Sequence, residues 1–372
     1  MDIRGEEPKP HSPDGPDLMR DSLAQVKAAE VGNRSFQAPK WLRRVHLALP
    51  AIGLAILIVM LIRLDREAMM AQLVHISGVH FALAALAFIV NAWLKCARWL
   101  RIIRAYDIVV PYREGILAFF SSIFYGMVTI GGVGELTRTG ALLARDVHWS
   151  KALVSCVFDR VLDVALLAAI GAVALIHFYL PPTGRYLALA TLAGVGIAAL
   201  LGAPRLVQWC ASHVHSWWFF RRRPRQAERL QSLFEATLPL VRLLKLCELV
   251  LWTIISWAGY MCTMLILAHG LAIHASPWSV IAASALGGLT ILLPISFQGV
   301  GTREPMFVFV LGREGTSPEQ AVLLAMLGFW VMFFTAVTIG LIGIVAQAAH
   351  RKAQTSNTDT TSPDTKSADT AG

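Results

Sequence analysis

The stretch GGVGELTR, residues 131–138, interrupts an apolar run, ILAFFSSIFYGMVTI at 116–130, that has the composition of a membrane segment. The run is shorter than the roughly 20 apolar residues that a helix needs to cross the hydrocarbon core of a bilayer. Non-helical backbone at membrane depth is tolerated only where protein or water satisfies its amide groups. The glycines allow the chain to turn and allow another backbone or a lipid headgroup to approach closely. The stretch therefore predicts the broken tip of a re-entrant segment.

The composition places this tip in a polytopic membrane protein. Of the 372 residues, 56% are hydrophobic and only 15% are charged, well below the roughly 25% charged residues of a soluble domain. The net charge of +9 is carried largely by short segments beside apolar runs, which argues against a nucleic-acid partner and for contact with anionic lipid headgroups. The five cysteines and the scattered histidines show no metal-binding or catalytic spacing, so we predict no metal, no cofactor and no catalytic residue.

Apolar runs of spanning length define the rest of the fold. We predict an all-α protein with six spans, at 45–62, 80–97, 152–176, 186–203, 249–271 and 320–346. Before the first span, residues 1–40 are predicted to be a disordered cytoplasmic tail without the apolar region of a signal peptide. The membrane domain is predicted over 41–350, with a basic cytoplasmic loop at 205–246 and a polar, disordered cytoplasmic tail at 351–372.

The distribution of Lys and Arg predicts the orientation of the spans. Basic residues precede the first span, close the second, fill the 205–246 loop and follow the last span, and such residues stay in the cytoplasm. The loops at 63–79, 177–185 and 272–279 carry no such excess and are predicted to face outward. Two shorter apolar segments, 115–130 and 278–293, then fit only if each enters and leaves on one side, the first from inside and the second from outside. Both termini are therefore predicted to be cytoplasmic.

The two short segments end in similar sequences, which suggests an inverted repeat. GVGE followed by Arg138 stands at 132–138, and GVGTRE stands at 299–304. Broken helices in two inverted halves form a known transporter architecture, in which the ligand site lies between the breaks. Pro294, Gly299 and Gly301 are predicted to shape the second break as the glycines of 131–134 shape the first. The alternative is that both motifs are ordinary exposed loops between segments that cross the membrane fully.

Charged residues next to the breaks are the candidate site. Glu135 and Arg138 are three residues apart and can pair on one helical turn, whereas Arg303 and Glu304 are adjacent and are expected to point in different directions. In the third span, FDRVLD places Asp159 and Asp163 on one helix face. We expect Arg160 to reach Asp163, and Asp159 to pair with a cation from another element, such as Arg138 or Arg303. Charges within a span are functional candidates, although a structural ion-pair network is the alternative.

RWLRIIR at 98–104 places Arg98 and Arg101 directly after the second span, on its predicted cytoplasmic side. We interpret these arginines as a positive-inside anchor rather than as part of a ligand site.

These motifs resemble the lysylphosphatidylglycerol synthase transmembrane region family, whose members are flippase-like integral membrane proteins. The run from FFSSIFYGMVTIGGVGELTR to FDRVLD, 119–163, resembles the family's first signature, and LLPISFQGVGTREPMFVFVL, 292–311, resembles its LPxSxxGxGxRE signature. The resemblance covers residues 45–348. This chain departs from the family pattern at Gly126 and Thr129, where many members have Asn and Pro, and at Asp159, where many have Glu.

The resemblance implies a set of substrate-binding positions. Carried over residue by residue, they are Gly134, Glu135, Arg138, Asp159, Arg160, Asp163, Pro294, Ser296, Gly299, Gly301, Arg303 and Glu304. The partners that it implies are membrane lipids with anionic or zwitterionic headgroups. In well-known members an aminoacyltransferase domain follows the membrane unit, whereas this sequence ends in a Thr/Ser-rich segment. We therefore expect no lysyl-lipid synthesis by this chain alone.

The sequence leads to one main function and leaves two alternatives open. The main hypothesis is a lipid flippase or transporter of the bacterial inner membrane, moving a phospholipid, an aminoacyl-lipid, a hopanoid or a glycolipid. An intramembrane enzyme acting on a lipid or a polyprenyl carrier is the first alternative, although no nucleophile or metal motif supports it. A scaffold for a partner enzyme of lipid biosynthesis is the second.

Overall fold

The computed structural model describes residues 54–129, 134–217, 224–292 and 296–360, and it contains no strand in those ranges. The predicted N-terminal tail, Pro294 and the first two glycines of GGVGELTR lie outside the described residues. Two short helices come first, α1 (Leu54–Arg63) and α2 (Arg66–His75). Helix α1 covers only the second part of the first predicted span, since 45–53 are not described.

The first half of the bundle contains a long helix, a broken element and a second long helix. Its helices are α3 (Gly78–Arg104), α4 (Tyr112–Val128), α5 (Thr137–Leu143) and α6 (Trp149–Tyr179). Helix α4 ends before the glycines, and a 3-10 turn at 134–136 leads into α5. The predicted break is therefore present as an interruption between two helices, α4 and α5.

Two helices connect the halves. Helix α7 (Pro182–His213) begins at the second residue of a Pro-Pro pair and buries only Ala211 inside the protein. Helix α8 (Pro224–Thr237) lies in the segment that was predicted to be a basic loop, and it packs against α6 and α7. Since α8 is polar on one face and buries Ala227 and Ala236 on the other, amphipathic packing explains why this segment is helical rather than irregular.

The second half repeats the element order of the first. Its helices are α9 (Leu243–Gly270), α10 (Pro277–Leu289), α11 (Arg303–Leu311) and α12 (Pro318–Thr360). Helix α10 continues into a 3-10 turn, Thr290–Leu292, and the second break separates it from α11. Helix α12 extends through residues 351–360, where the sequence had predicted a disordered tail.

Five helices are long and apolar enough to span a membrane among the described residues. They are α3, α6, α7 with its 3-10 extension, α9 and α12 up to Ala349, and they correspond to the second through sixth predicted spans. The two shorter predicted segments become α4 and α10, each shorter than a typical span. The chain is thus an all-α integral membrane protein, and the re-entrant path of its two short segments stays a prediction.

The packing of the helices follows the repeat. Helix α3 packs along its counterpart α9. Helix α4 packs along α12, and in the same way α10, the counterpart of α4, packs against α6, the counterpart of α12. Helix α4 approaches α12 so closely that a Cβ atom added at Gly340 would stand 2.6 Å from the Cβ of Phe124. Small residues permit this approach where helices associate in a membrane by van der Waals packing.

The start of α10 is held by a carboxylate from the turn before α12. Glu314 accepts hydrogen bonds from the Ser276 amide at 2.5 Å and from the Ser279 hydroxyl at 2.5 Å. An anion at this position also interacts favourably with the helix dipole. Burial alone would raise the pKa of Glu314, but the hydrogen bonds from Ser279 and Ser276 outweigh it and lower the pKa.

Candidate functional site

The two breaks meet inside the bundle. The Gln298 side-chain amide, from the second break, donates hydrogen bonds to the carbonyl oxygen of Gly126 at 2.8 Å and of Thr129 at 3.1 Å. These carbonyls belong to the last turn of α4, where a helix leaves carbonyl groups without intrahelical partners. Gln298 has a positive φ of 50° and is buried. The side chain of one break therefore satisfies the backbone of the other.

The second break is built on glycines with positive φ. Gly299 and Gly301 have φ of 80° and 87°, in the left-handed region where a side chain is disfavoured. This conformation directs the Gly301 amide to Glu304 Oε2 at 2.7 Å, and Ser296 Oγ lies 3.0 Å from the Thr302 hydroxyl. The turn thereby places Glu304 and Arg303 in the first turn of α11.

The first break positions Glu135. The Gly134 amide donates to Thr129 Oγ1 at 2.7 Å, which closes the turn after α4. Gly134 has no room for a side chain, because a Cβ there would stand 2.0 Å from the Tyr125 carbonyl oxygen. At Gly126 an added Cβ would stand 2.5 Å from Glu135 Cγ. Both glycines are therefore needed for Glu135 to lie against α4.

Arg98 connects the two aspartates of α6. Its Nε donates to Asp159 Oδ1 at 2.8 Å, and its Nη1 donates to Asp163 Oδ1 at 2.7 Å. The guanidinium is fully buried, and it also donates to the Asp159 carbonyl and the Thr253 hydroxyl. The bridge resolves the repulsion that two carboxylates on one helix face would otherwise have.

Arg138 extends this chain of charges to the first break. Its Nη2 donates to Asp159 Oδ2 at 2.9 Å and lies 3.8 Å from Glu135 Oε2. The side chain is 1% exposed and lies against the rings of Trp99 and Phe119. Within the part of the chain that the structure describes, its Nε and Nη1 have no hydrogen-bond partner, although buried donors are nearly always paired.

Lys95 and Arg160 complete the chain at its two ends. Lys95 Nζ is 3.0 Å from Asp163 Oδ2 and lies over the Trp257 ring, whose indole N–H donates to Asp163 at 2.7 Å. Arg160 contacts Glu135. Seven charged side chains thus form a continuous series of contacts, which we call the first-break network: Lys95, Arg98, Glu135, Arg138, Asp159, Arg160 and Asp163.

Arg303 and Glu304 form a second buried pair beside the other break. Arg303 Nη2 lies 3.7 Å from Glu304 Oε1, and the side chains are 3% and 1% exposed. The guanidinium lies over the Phe329 ring and approaches α10 where Gly287 leaves space for it. As at Arg138, two of its nitrogens, Nε and Nη2, have no hydrogen-bond partner among the described residues.

Two of the predicted pairings are wrong. Arg160 was expected to pair with Asp163, but it contacts Glu135, and Asp163 is held by Arg98 and Lys95. Arg303 and Glu304 were expected to point apart, but the tight turn before α11 lets them approach each other. The pairing of Glu135 with Arg138 and that of Asp159 with Arg138 are confirmed.

Three contributors were missed by the sequence analysis. Arg98 was interpreted as an anchor, Lys95 was used only to orient the second span, and Gln298 was given no role. The sequence contained a signal for Lys95 and Arg98, since these residues lie three positions apart and before the last turns of a span. Gln298 had no such signal, because its partners are backbone carbonyls of a distant segment.

The predicted site residues fall into two groups. Gly134, Glu135, Arg138, Asp159, Arg160 and Asp163 belong to the first-break network or its turn, and Ser296, Gly299, Gly301, Arg303 and Glu304 belong to the second break. Gln298 joins the two breaks. Within the described ranges no group of three or more His, Cys, Asp and Glu side chains is arranged to hold a metal ion.

A search of curated proteins finds no match to this chain. A family model, described as the lysylphosphatidylglycerol synthase TM region, matches residues 49–340. The matched range includes both breaks and every residue of the first-break network. The chain therefore belongs to the lysylphosphatidylglycerol synthase transmembrane region family, and its role is connected with membrane lipids.

Proposed function

We propose that this protein translocates lipids between the leaflets of the bacterial inner membrane, with the headgroup passing between the two breaks while the acyl chains stay in the bilayer. The observation that carries the proposal is the contact of Gln298 with the end of α4. It brings two interrupted helices together in a bundle whose long helices are apolar enough to span a membrane. Interrupted helices that meet in this way offer polar backbone to a ligand.

The charged residues supply the chemistry that a headgroup needs. Arg138 and Arg303 are buried beside the two breaks and carry N–H groups that have no partner in the described ranges. Such groups bind phosphate oxygens, and a guanidinium binds two of them at once. Glu135, which is 15% exposed, and Glu304 balance the arginines. A buried charge is costly in a membrane segment, about 2.5–3.5 kcal/mol each on insertion scales, so functional use is the simplest reason for their presence.

The proposed orientation has both termini in the cytoplasm. Arg101 and Arg104 lie in the last turn of α3, and the polar face of α8 carries Arg225 and Arg229. Basic residues next to spans favour the cytoplasmic side. On this orientation the first break is entered from the cytoplasm and the second from outside.

The test is leaflet exchange of labelled lipids in liposomes that contain the purified protein. Wild type is compared with Glu135→Gln and Arg303→Gln, and Arg205→Gln is the matched control because Arg205 lies exposed on α7. We expect exchange by wild type and the control, and a loss of about tenfold or more in both site variants. If folded wild-type protein exchanges none of the phospholipids, aminoacyl-lipids, hopanoids or glycolipids offered, translocation is rejected.

A further inference from the structure

Arg160 differs from the other members of the first-break network in its exposure. Its side chain is 42% exposed, whereas those of Lys95 and Glu135 are 19% and 15% exposed and those of the remaining members are 6% exposed or less. Arg160 lies four residues before Val164, the midpoint of α6, which is about 6 Å along the helix axis. If α6 is centred in a hydrocarbon core of roughly 30 Å, Arg160 lies well inside that core.

The surface of α6 around Arg160 is apolar. Val157, one turn before it, and Val161, directly after it, are 44% and 54% exposed. Such side chains at membrane depth are suited to contact acyl chains, whereas a charged side chain there faces a water-filled space or a partner of opposite charge. The exposed side chain of Arg160 therefore marks a polar opening in a surface that otherwise suits lipid.

This opening leads to the first break. Arg160 contacts Glu135, in the turn before α5, and Glu135 lies against α4 at Gly126. Glu135 is also 3.8 Å from Arg138, whose side chain is 1% exposed. The contacts thus run from the exposed Arg160, through Glu135, to the buried Arg138. A headgroup that reaches Arg160 from the bilayer has reached the mouth of the break.

Arg160 also has the least complete compensation among the cations of the network. Asp159 and Asp163 are each bound by two other cations. Arg160 contacts Glu135 through Nη2 and shares this carboxylate with Arg138. Because a guanidinium carries five N–H donors and binds phosphate oxygens well, Arg160 can bind a phosphate while Glu135 stays with Arg138.

We propose that lipids enter the first break sideways from the bilayer, and that Arg160 is the first residue to contact the headgroup, through its phosphate. This inference rests on the proposed translocation and assigns its entry point. The phosphate replaces Glu135 at Arg160, and Glu135 keeps its contact with Arg138. The acyl chains stay against the apolar face of α6, at Val157 and Val161, while the headgroup moves inward.

The opening is tested first without transport. In a cysteine-free background, a spin label is attached at Arg160→Cys, Val157→Cys or Val161→Cys, and the protein is reconstituted into liposomes. Relaxation of the label by a water-soluble nickel chelate is compared with relaxation by oxygen, which concentrates in the hydrocarbon. We expect all three labels to respond to oxygen, and the label at 160 to respond to the chelate several times more strongly than the other two. A chelate response at 160 no larger than at 157 and 161 would overturn the opening and leave translocation standing.

Leaflet exchange then separates a phosphate contact from a structural role of Arg160. The two lipids are phosphatidylethanolamine and a glucosyl-diacylglycerol with the same acyl chains and no phosphate. We expect wild type to exchange the phospholipid about tenfold faster than the glycolipid, and Arg160→Gln to lose that preference by slowing the phospholipid alone. Arg160→Lys, which keeps the charge, is expected to retain most of the preference. Exposed Arg205 of α7 supplies the control, Arg205→Gln, which is expected to match wild type.

The other outcomes of this comparison are distinct. Equal rates for the two lipids in wild type, or an equal slowing of both in Arg160→Gln, would overturn the phosphate contact. Wild type and variants are compared at equal amounts of folded protein, measured by size-exclusion chromatography. No exchange of any lipid by folded wild type would reject the proposed function instead.

A soluble headgroup tests whether the phosphate arrives from the bilayer. Glycerophosphoethanolamine carries the headgroup of phosphatidylethanolamine without its acyl chains. We expect it to leave phospholipid exchange unchanged when added at the concentration of the lipid, because the proposed entry is from the hydrocarbon side. Strong inhibition would show that headgroups reach Arg160 from water, and it would overturn sideways entry.

Discussion

Arg98 shows how a single side chain determines the electrostatics of this bundle. It is fully buried in α3 and donates to both aspartates of α6 and to Thr253 of α9. A buried pair is weak evidence of net stabilisation, but removing one partner leaves a costly isolated charge. Arg98 therefore holds three helices in register whatever the function of the site.

Replacing Arg98 by Met should destabilise the protein strongly. Asp159 would keep its ion pair with Arg138, and Asp163 would keep its ion pair with Lys95. Each aspartate would lose its shortest ion-pair contact, which is the one to Arg98. We expect a loss of about 3–5 kcal/mol in the free energy of unfolding, measured by denaturant titration in detergent micelles. Arg104→Met, at an exposed position at the end of the same helix, is the control. Equal stability of the two variants would contradict the structural role of Arg98.

Gly126 offers a test of the site at the scale of one methyl group. In Gly126→Ala the new Cβ would stand 2.5 Å from Glu135 Cγ, while Glu135 is held by Arg138 and Arg160. Overpacking of this kind costs roughly 1–3 kcal/mol, so lipid exchange should fall by about tenfold. The control is Gly140→Ala in α5, where nothing lies within 4 Å of the added Cβ. Exchange at the wild-type rate in Gly126→Ala would show that the position of Glu135 is unimportant.

At the scale of elements, periodicity and length predict the long helices well and the breaks only in outline. Five predicted spans correspond to helices, since runs of apolar residues longer than a bilayer crossing have few alternatives. The glycines of the two motifs lie between α4 and α5 and between α10 and α11. Residue-level pairing was harder, because a three-residue spacing favoured Arg160 with Asp163, whereas Arg98 of another helix takes that carboxylate. Tertiary contacts of this kind leave no mark in local spacing.

The link between the breaks can be tested by removing Gln298. In Gln298→Ala the carbonyls of Gly126 and Thr129 lose their donors, each bond being worth about 0.5–1.5 kcal/mol. We expect amide hydrogen exchange in the last turn of α4 to accelerate by about tenfold, measured by mass spectrometry. Gln320→Ala, near the start of α12, controls for loss of an amide side chain. Unchanged exchange rates in α4 would show that the breaks are held together by other contacts.

The start of α10 should depend on pH. Because hydrogen bonding lowers the pKa of Glu314 in the folded protein, its contribution is present above the ordinary glutamate pKa of roughly 4.3 and is lost as the pH falls through the lowered value. We expect the first turn of α10 to lose amide protection in that acidic range. In Glu314→Gln the protection should be lower at neutral pH and nearly independent of acidification. Glu319→Gln, in the first turn of α12, serves as the matched carboxylate control.

At the scale of the whole molecule, the two halves share more than their element order. Asp107 and Ala272 follow the first long helix of each half, and both have positive φ, 59° and 50°. Asp146 and Gly315 follow the short helix of each half, again with positive φ, 57° and 80°. The same backbone turns at the same junctions support a repeat. If α3, α6, α7 and α9 each cross once and the segment from α4 to α5 returns to the side from which it enters, α9 runs opposite to α3, and the repeat is inverted.

The inverted arrangement predicts which turns share a side of the membrane. In a cysteine-free background, Val109→Cys and Ala144→Cys should both react with an impermeant maleimide from the cytoplasmic side, because α4 and α5 enter and return there. His274→Cys and Gly312→Cys should both react from the opposite side. All four are exposed positions outside the five long helices. Labelling of residues 109 and 144 from opposite sides would show that the first short segment crosses fully.

The contact of Gln298 with α4 also makes the two halves unequal. In the aligned GVG motifs, Gln298 corresponds to Gly131, which has no side chain. The second break therefore donates side-chain hydrogen bonds to the first, whereas the first break has no side chain at the matching position that could donate in return. We expect a lipid arriving from one leaflet to meet a different first obstacle from a lipid arriving from the other. A duplicated scaffold with an asymmetric contact of this kind can saturate differently from its two sides, so the flux of lipid should differ in size when the same gradient is applied in opposite directions.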